Sequence, residues 1–252
     1  MKNYHTHTTR CMHAIGSEEE YILAAISAGY TELGFSDHTP WHYESGYHAT
    51  MRMDESQLED YVHTLSVLRD KYKDKISIKI GLECEYFEDK MEWLKDQLER
   101  YKLDYIILGN HFDGSDETGI YYGHPVSLEE LKKYVSQVIK AMDTGLFSYV
   151  AHPDVVFYDE KNQEHIDELE KICIHAAEID MPLEFNLLGY KAMRHYPSQP
   201  FIDLCKKHHN RIIIGTDAHE PSALKDTKIY NRAHTYLKES GLEITEDIKM
   251  LR

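Results

Sequence analysis

The alternation of short apolar runs with longer amphipathic segments is the feature that most constrains the fold of this chain. The runs ELGFS, ISIKIGL, YIIL and RIIIG are largely apolar. Such runs are typical of parallel strands that are covered on both faces. Besides a first short strand before His5, we predict strands at residues 32–36, 76–82, 105–108, 149–151, 182–185 and 211–215.

The segments between these runs have the start and stop signals of amphipathic helices. Ser17 with Glu20, and Ser127 with Glu130, form the capping-box pattern at two helix starts, and Gly29 supplies a helix end. The repeated strand–helix order predicts an α/β fold with a parallel sheet, either barrel or open, in one domain over residues 1–252. We predict helices at residues 17–28, 55–72, 91–101, 128–144, 164–179, 200–208 and 224–237.

Composition and charge disfavour several classes of function. The formal net charge of −16 opposes binding to nucleic-acid phosphate. No apolar run reaches the roughly 18–20 residues of a membrane span. The first residues also lack the apolar core of a signal peptide, so we expect a cytoplasmic protein without a membrane partner. The four cysteines form no CxxC pair, which argues against a zinc ribbon or a redox motif.

Metal-binding side chains follow the predicted strands, at or just past the C-terminal end of each. Histidine is unusually frequent, at 17 residues. Because the C-terminal ends of barrel strands converge on one face, we expect these side chains to be neighbours. The sets are His5 with His7, Asp37 with His38, Glu83 with Glu85, His111, His152, Glu184 with Asn186, and Asp217 with His219.

The spacing and chemistry of these sets favour a metal site. His5 with His7 and Asp217 with His219 have the i, i+2 spacing that directs both side chains to one face of a strand. Imidazole and carboxylate ligands suit zinc, manganese or iron. A single His-x-His pair can be incidental, and Asp217 alone can cap a helix. The coincidence of so many sets at strand ends instead predicts two or three ions, with Glu83 shared between them.

These residues also carry a resemblance to a known family. The motifs HTH…CMHA, SDH, GLE, GNHF, AHPD and GTDAH resemble, in order, those of the polymerase and histidinol phosphatase (PHP) superfamily. Within it, CMHAIGSEEEY, GFSDHTPW and the RMDE before the second helix resemble the monofunctional histidinol-phosphate phosphatases. One segment departs from the pattern, because Asn186-Leu187-Leu188-Gly189 stands where the family often has Asn-Thr-Ser-Gly.

The resemblance implies a distorted (β/α)7 barrel with a trinuclear centre of divalent zinc, manganese or iron ions at the C-terminal ends of the strands. It implies three ligand groups, which are His5, His7, Glu83 and Asp217 for one ion, Glu83, His111 and His152 for the second, and His13, His38 and His219 for the third. Four carboxylates are candidates to orient the ligand imidazoles, namely Asp37, Glu85, Asp154 and Glu184.

The resemblance also implies a reaction. We predict hydrolysis of L-histidinol phosphate to L-histidinol and phosphate, a step of histidine biosynthesis, by attack of a metal-bridging hydroxide that Glu83 helps to hold. Arg194 is predicted to bind the phosphate bidentately, with Arg10 and Arg52 as further candidates. His42 is predicted to contact the phosphate and to protonate the leaving alkoxide.

Three other functions remain open from the sequence. The chain could be a PHP phosphoesterase that acts on a nucleotide, a sugar phosphate or a phosphopeptide. It could be an amidohydrolase, although those barrels often use a carboxylated bridging lysine where this chain has Glu83. It could also be a metal-storage, sensor or binding protein without catalysis, although no ligand position of the motifs is replaced.

Overall fold

The candidate site residues lie at or just beyond the C-terminal ends of the strands. The computed structural model describes residues 1–251, and Arg252, the last residue of the predicted domain, lies outside the described residues. The strands are β1 (Lys2–Asn3), β2 (Glu32–His38), β3 (Ser77–Cys84), β4 (Tyr105–Leu108), β5 (Leu183–Asn186), β6 (Arg211–Gly215) and β7 (Glu243–Thr245).

Nine helices cover the strands within the described residues 1–251. None of them is long and apolar enough to cross a membrane. The helices are α1 (Glu18–Ala28), α2 (Leu58–Tyr72), α3 (Met91–Tyr101), α4 (Leu128–Asp143), α5 (Gln163–Glu178), α6 (Leu187–Ala192), α7 (Gln199–Lys207), α8 (Pro221–Lys225) and α9 (Thr227–Glu239).

The strands pair in parallel in two sheets, which two sets of isolated bridges join into a barrel. The sheet orders are β1-β2-β3-β4 and β5-β6-β7. Val150 bridges both Leu108 and Leu183, and Thr6 bridges Ala218. The circuit therefore runs through β1 to β4, the segment at Val150, β5 and β6, and returns to the N-terminus. The predicted α/β fold with a distorted seven-stranded barrel is confirmed.

Several predicted elements differ from the observed ones. Residues 149–151 contribute bridges rather than a strand, because His152 has a positive φ of 68° and Pro153 follows it. The single helix predicted at 224–237 is wrong, because the chain breaks at Asp226, whose side chain accepts a hydrogen bond from the Ile229 amide and caps α9. The short elements α6 and β7 were not predicted.

A small cluster of side chains fills the barrel interior beneath the strand ends. Tyr105 lies at its centre and donates a 2.7 Å hydrogen bond from its hydroxyl to the Tyr4 carbonyl oxygen. Because these side chains are all buried, the barrel is closed below and the polar residues above them open to one face only. The cluster consists of Tyr4, Tyr105, Ile107, Tyr149, Ala151 and Ile213.

Candidate metal centre

The first ligand group joins the N-terminus to the end of β6. His5 and His7 follow β1 and are fully buried. His5 Nε2 lies 3.5 Å from Asp217 Oδ1 and 3.6 Å from Glu83 Oε2. His7 Nε2 lies 3.2 Å and 3.5 Å from the same two oxygens. Two imidazoles and two carboxylates from chain segments far apart in sequence thus surround one small volume.

Glu83, near the end of β3, faces a second group with its other oxygen. Glu83 Oε1 lies 2.8 Å from His152 Nε2 and 3.5 Å from His111 Nε2. Oε2 faces His5 and His7 instead. The carboxylate therefore stands between two groups of imidazoles, with one oxygen directed to each.

A third group of imidazoles lies toward the mouth of the site. His13 Nε2 is 3.0 Å from His219 Nε2, and the His7 ring stacks on His219 at 4.1 Å between centroids. His38 lies within this cluster, 5.6 Å from His13 between ring centroids, but its Nδ1 is also 3.0 Å from Glu83 Oε2. His38 thus touches both the first and the third groups, which the sequence did not anticipate.

The separations of the potential ligand atoms fit a divalent cation. Bonds of 2.0–2.1 Å in a tetrahedral zinc site place ligand atoms about 3.3 Å apart. The distances in the first group, 3.2 to 3.6 Å, lie close to that value. Among the described residues, His5 Nε2, His7 Nε2, His38 Nδ1 and both Glu83 oxygens are buried and make no contact with the angles of a hydrogen bond, although His152 Nε2 and His38 Nδ1 lie within 3.0 Å of Glu83. Buried polar atoms of this kind are costly unless something binds them, so the donor set fits metal ions.

The electrostatics of the cluster point the same way. Burial opposes a charge on His5, but the carboxylates of Glu184, Asp217 and Glu83 outweigh it and raise the pKa of His5 well above its usual value. Against the same burial, Asp217 and Asp37 raise the pKa of His7 to about 9. The neighbouring imidazoles hold the pKa of Glu83 and of Asp217 well below the usual range, despite burial. The ionised carboxylates thus need positive charge, which protons on His5 and His7 or divalent cations can supply.

The outer imidazoles are in the form that binds metal. Burial, together with the charge of His7, lowers the pKa of His38 to about 4 and that of His219 to about 3. Both rings are therefore neutral at pH 7 and keep a free lone pair. Cys11 also lies within reach of His13 and His219, but burial raises the pKa of its thiol to about 12.

Carboxylates outside the cluster hold some of the imidazoles in place. Glu184 accepts a 2.8 Å hydrogen bond from His5 Nδ1, and Glu85 accepts one of 3.2 Å from His111 Nδ1. Asp37 Oδ1 lies 3.5 Å from His7 Nδ1. Asp154 differs from the prediction, because it accepts a 2.6 Å hydrogen bond from the Ser198 amide at the start of α7 and no histidine donates to it among the hydrogen bonds of the described residues.

The cluster forms the floor of a cavity of about 600 Å³. Arg194 lines this cavity and donates a 2.8 Å hydrogen bond to the Tyr196 hydroxyl, so the structure brings it to the site. His42 is not a lining residue. It is half exposed and hydrogen-bonds Glu55 at 2.7 Å. The wall residues besides the ligands are Thr50, Met51, Phe112, Tyr121, Val155, Leu188, Arg194 and Tyr196.

The two further arginine candidates are engaged elsewhere. Arg10 pairs with Glu18 and Asp60, outside the cavity lining. Arg52 is buried, pairs with Glu85 and Asp116, and does not line the cavity, so it is not placed to bind a phosphate there.

Comparisons with known sequences find a matching family model and several similar proteins. The sequence model of the PHP domain matches residues 3–187. A histidinol-phosphatase of Bacillus subtilis is 27% identical over 250 residues, which cover 86% of this chain and 92% of the relative. A probable histidinol-phosphatase of Deinococcus radiodurans is 26% identical over 232 residues, with 86% and 85% covered.

A solved structure shares the fold. It is the histidinol phosphate phosphatase of Lactococcus lactis, crystallised with zinc, L-histidinol and phosphate. Its TM-score is 0.73 at 21% identity, and the match covers 98% of both chains. These matches confirm the resemblance that the motifs indicate.

Proposed function

Because this chain belongs to the PHP domain family, we propose that it is a metal-dependent phosphomonoesterase that hydrolyses L-histidinol phosphate to L-histidinol and phosphate. The relatives named histidinol-phosphatase support the substrate. The observation that carries the proposal is Glu83, whose two oxygens face separate imidazole groups at the floor of an open cavity. The reaction would be a step of histidine biosynthesis in the cytoplasm, with a small metabolite as the partner.

We propose that two to three divalent ions of zinc, manganese or iron bind here. When bound, they supply Lewis acidity and lower the pKa of water toward neutrality. Support comes from the ligand-atom separations and from the buried atoms without hydrogen-bond partners. The proposed groups are His5, His7, Glu83 and Asp217, then Glu83, His111 and His152, and then His13, His38 and His219.

The protein's own side chains would orient the reactants. Glu184 and Glu85 fix the rings of His5 and His111 through their Nδ1 atoms. Arg194 is proposed to bind a phosphate oxygen, because its guanidinium lines the cavity above the cluster. His42 as proton donor stays a prediction, and its hydrogen bond to Glu55 outside the cavity lining does not favour it.

We also propose that residues 1–252 act as one domain. The family model ends at residue 187, whereas Asp217 and His219 lie beyond it. The 3.2 Å separation of His7 Nε2 and Asp217 Oδ1 supports a site that needs both parts of the chain.

A panel of phosphomonoesters tests the substrate. Purified, metal-loaded protein should release phosphate from L-histidinol phosphate at least about tenfold more efficiently than from nucleotides, sugar phosphates or a phosphotyrosine peptide. Glu83→Gln should be inactive, whereas Glu168→Gln, a change at a carboxylate of helix α5 away from the cavity, should be active. Equal rates across the panel would remove L-histidinol phosphate as the preferred substrate and leave a broader phosphatase.

A further inference from the structure

Arg52 is a buried cation that joins three separate chain segments. Its Nη1 and Nη2 donate to the two Glu85 oxygens at 3.0 Å and 2.7 Å. Nη1 also donates to the Thr39 carbonyl oxygen at 2.9 Å, and Nε donates to Asp116 at 2.9 Å. A bidentate guanidinium–carboxylate pair of this kind has a fixed geometry that lysine cannot reproduce.

One arm of this network runs from Arg52 through Glu85 to His111, in the candidate metal site. Glu85 Oε1, which accepts from Arg52, also accepts from His111 Nδ1 at 3.2 Å. Glu85 Oε2 accepts from the indole of Trp41 at 2.8 Å as well. Arg52 therefore stabilises the charge of Glu85 and fixes its orientation. Glu85 in turn orients the His111 ring.

The other arm, the wall arm, runs from Arg52 to Asp116 beside the wall of the cavity. Asp116 accepts from Arg52 and from the hydroxyl of Tyr43, so two residues of the loop that follows β2, residues 39–54, hold it. Asp116 lies between Phe112 and Tyr121, which pair as a bridge and line the cavity. Thr50 and Met51, directly before Arg52, line the same cavity.

We propose that Arg52 is a positioning residue. It holds the cavity wall, formed by residues 50–51 and 112–121, in a fixed position relative to the metal-facing ring of His111. The inference rests on the proposed function, since it assigns the wall to the phosphomonoester and His111 to a metal ion. A buried charge between two carboxylates is a poor source of net stability, because desolvation offsets much of the attraction. Arg52 contacts both Asp116 near the cavity wall and Glu85 beside His111. This geometry gives Arg52 a positioning role that a contribution to stability would not explain.

Two variants separate the two arms, and a third controls for the loss of an arginine–carboxylate contact elsewhere in the barrel. Arg52→Lys weakens both arms, and Asp116→Asn weakens the wall arm only. Arg211→Lys is the control, because Arg211 also donates two hydrogen bonds to one acidic residue, from Nε to the Asp180 carboxylate at 2.6 Å and from Nη2 to the Asp180 carbonyl oxygen at 2.7 Å, where β6 begins. That position is at the end of the barrel opposite the cluster.

Three quantities are measured for each variant. They are the metal retained at increasing chelator concentrations, the melting temperature, and kcat and KM for L-histidinol phosphate and for p-nitrophenyl phosphate. Arg52→Lys should lose metal affinity by about tenfold or more and raise KM for both esters. Asp116→Asn should raise KM by about tenfold while kcat and metal retention change by less than about twofold. Arg211→Lys should leave metal retention and KM unchanged.

Two results would overturn the proposal. One is an Arg52→Lys protein whose metal retention and KM match the wild type. The other is an Arg211→Lys protein that shows the same losses at an equal fall in melting temperature. If Arg52→Lys does not fold, Asp116→Asn decides, since unchanged KM there contradicts the wall arm. If the wild type does not hydrolyse L-histidinol phosphate, the proposed substrate fails, while metal retention and p-nitrophenyl phosphate still test Arg52.

Discussion

Glu83 Oε1 lies 2.8 Å from His152 Nε2, although Glu83 belongs to β3 and His152 follows the bridge segment at Val150. The second oxygen of the same carboxylate lies 3.0 Å from His38 Nδ1. A buried carboxylate that is approached by imidazoles on both sides is arranged to share its charge between them, or between two cations that they bind. The position and the charge of this carboxylate have consequences that can be measured.

The Gly109→Ala variant tests the fit around Glu83. A Cβ atom at residue 109 would overlap the Glu83 carboxylate and its Cγ, so Glu83 must move away from one of its imidazole groups. Since small displacements of catalytic groups are costly, we expect turnover to fall by about 100-fold. Phosphate release together with circular dichroism checks this. A folded variant with wild-type turnover would show that the position of Glu83 does not matter.

The Glu184→Gln variant tests the support of His5. Glutamine keeps the shape but removes the negative charge that holds the His5 Nδ1 proton, so metal affinity should fall by about 10-fold to 100-fold. Asp154→Asn is the matched control, because Asp154 accepts from the Ser198 amide instead of a histidine. Zinc titration against a competing chelator measures both. Equal losses in the two variants would contradict a specific role for Glu184.

Metal-free protein should lose stability as the pH rises. Despite burial, Asp217 and Asp37 raise the pKa of His7 to about 9, above its ordinary value of 6.5. A group with a raised pKa in the folded state stabilises the fold fully below its unfolded pKa and loses that effect as the pH passes the folded pKa. We therefore expect the melting temperature of chelated protein to fall between about pH 6.5 and pH 9.

Metal-loaded protein is the control for this pH effect. Bound cations would replace the protons on the cluster, so its melting temperature should change less over the same interval. Parallel pH profiles for the two forms would contradict the view that protons and cations compensate the same carboxylates.

The Arg194→Met variant tests phosphate binding. Removal of the guanidinium should raise KM and weaken inhibition by inorganic phosphate by about tenfold or more, because a charge-assisted contact is lost. Arg69→Met is the control, since Arg69 pairs with Asp104 at 3.3 Å and does not line the cavity. Unchanged phosphate inhibition in Arg194→Met would mean that another group binds the anion.

The sequence was most informative where one physical rule determines position. Apolar runs such as RIIIG form parallel strands, and strand ends converge, so the meeting of His7 with Asp217 followed from the pattern. Ligand roles for these residues stay a prediction. The segment at 149–151 was less clear, because the positive φ of His152 cannot be recognised from an apolar run.

Contacts between distant loops were beyond the sequence. The sequence predicts Arg52 as a candidate to bind phosphate, yet Arg52 is buried and pairs with two carboxylates from other loops. Asp154 looked like a partner for histidine, yet the chain turns it toward the Ser198 amide. Such pairings depend on loop paths, for which hydrophobic periodicity carries no information.

The number of metal ions bound per chain is the most direct measure of the proposed metal centre. Elemental analysis of active wild-type protein should give at least about two ions per chain, because the two oxygens of Glu83 face two separate groups of imidazoles. The Glu83→Gln protein should bind fewer ions, by more than about one per chain, and should release no phosphate. The reason is that the substitution affects both groups of imidazoles that Glu83 faces. Fully active wild-type protein with fewer than about two ions, or a Glu83→Gln protein with wild-type metal content and turnover, would contradict the account.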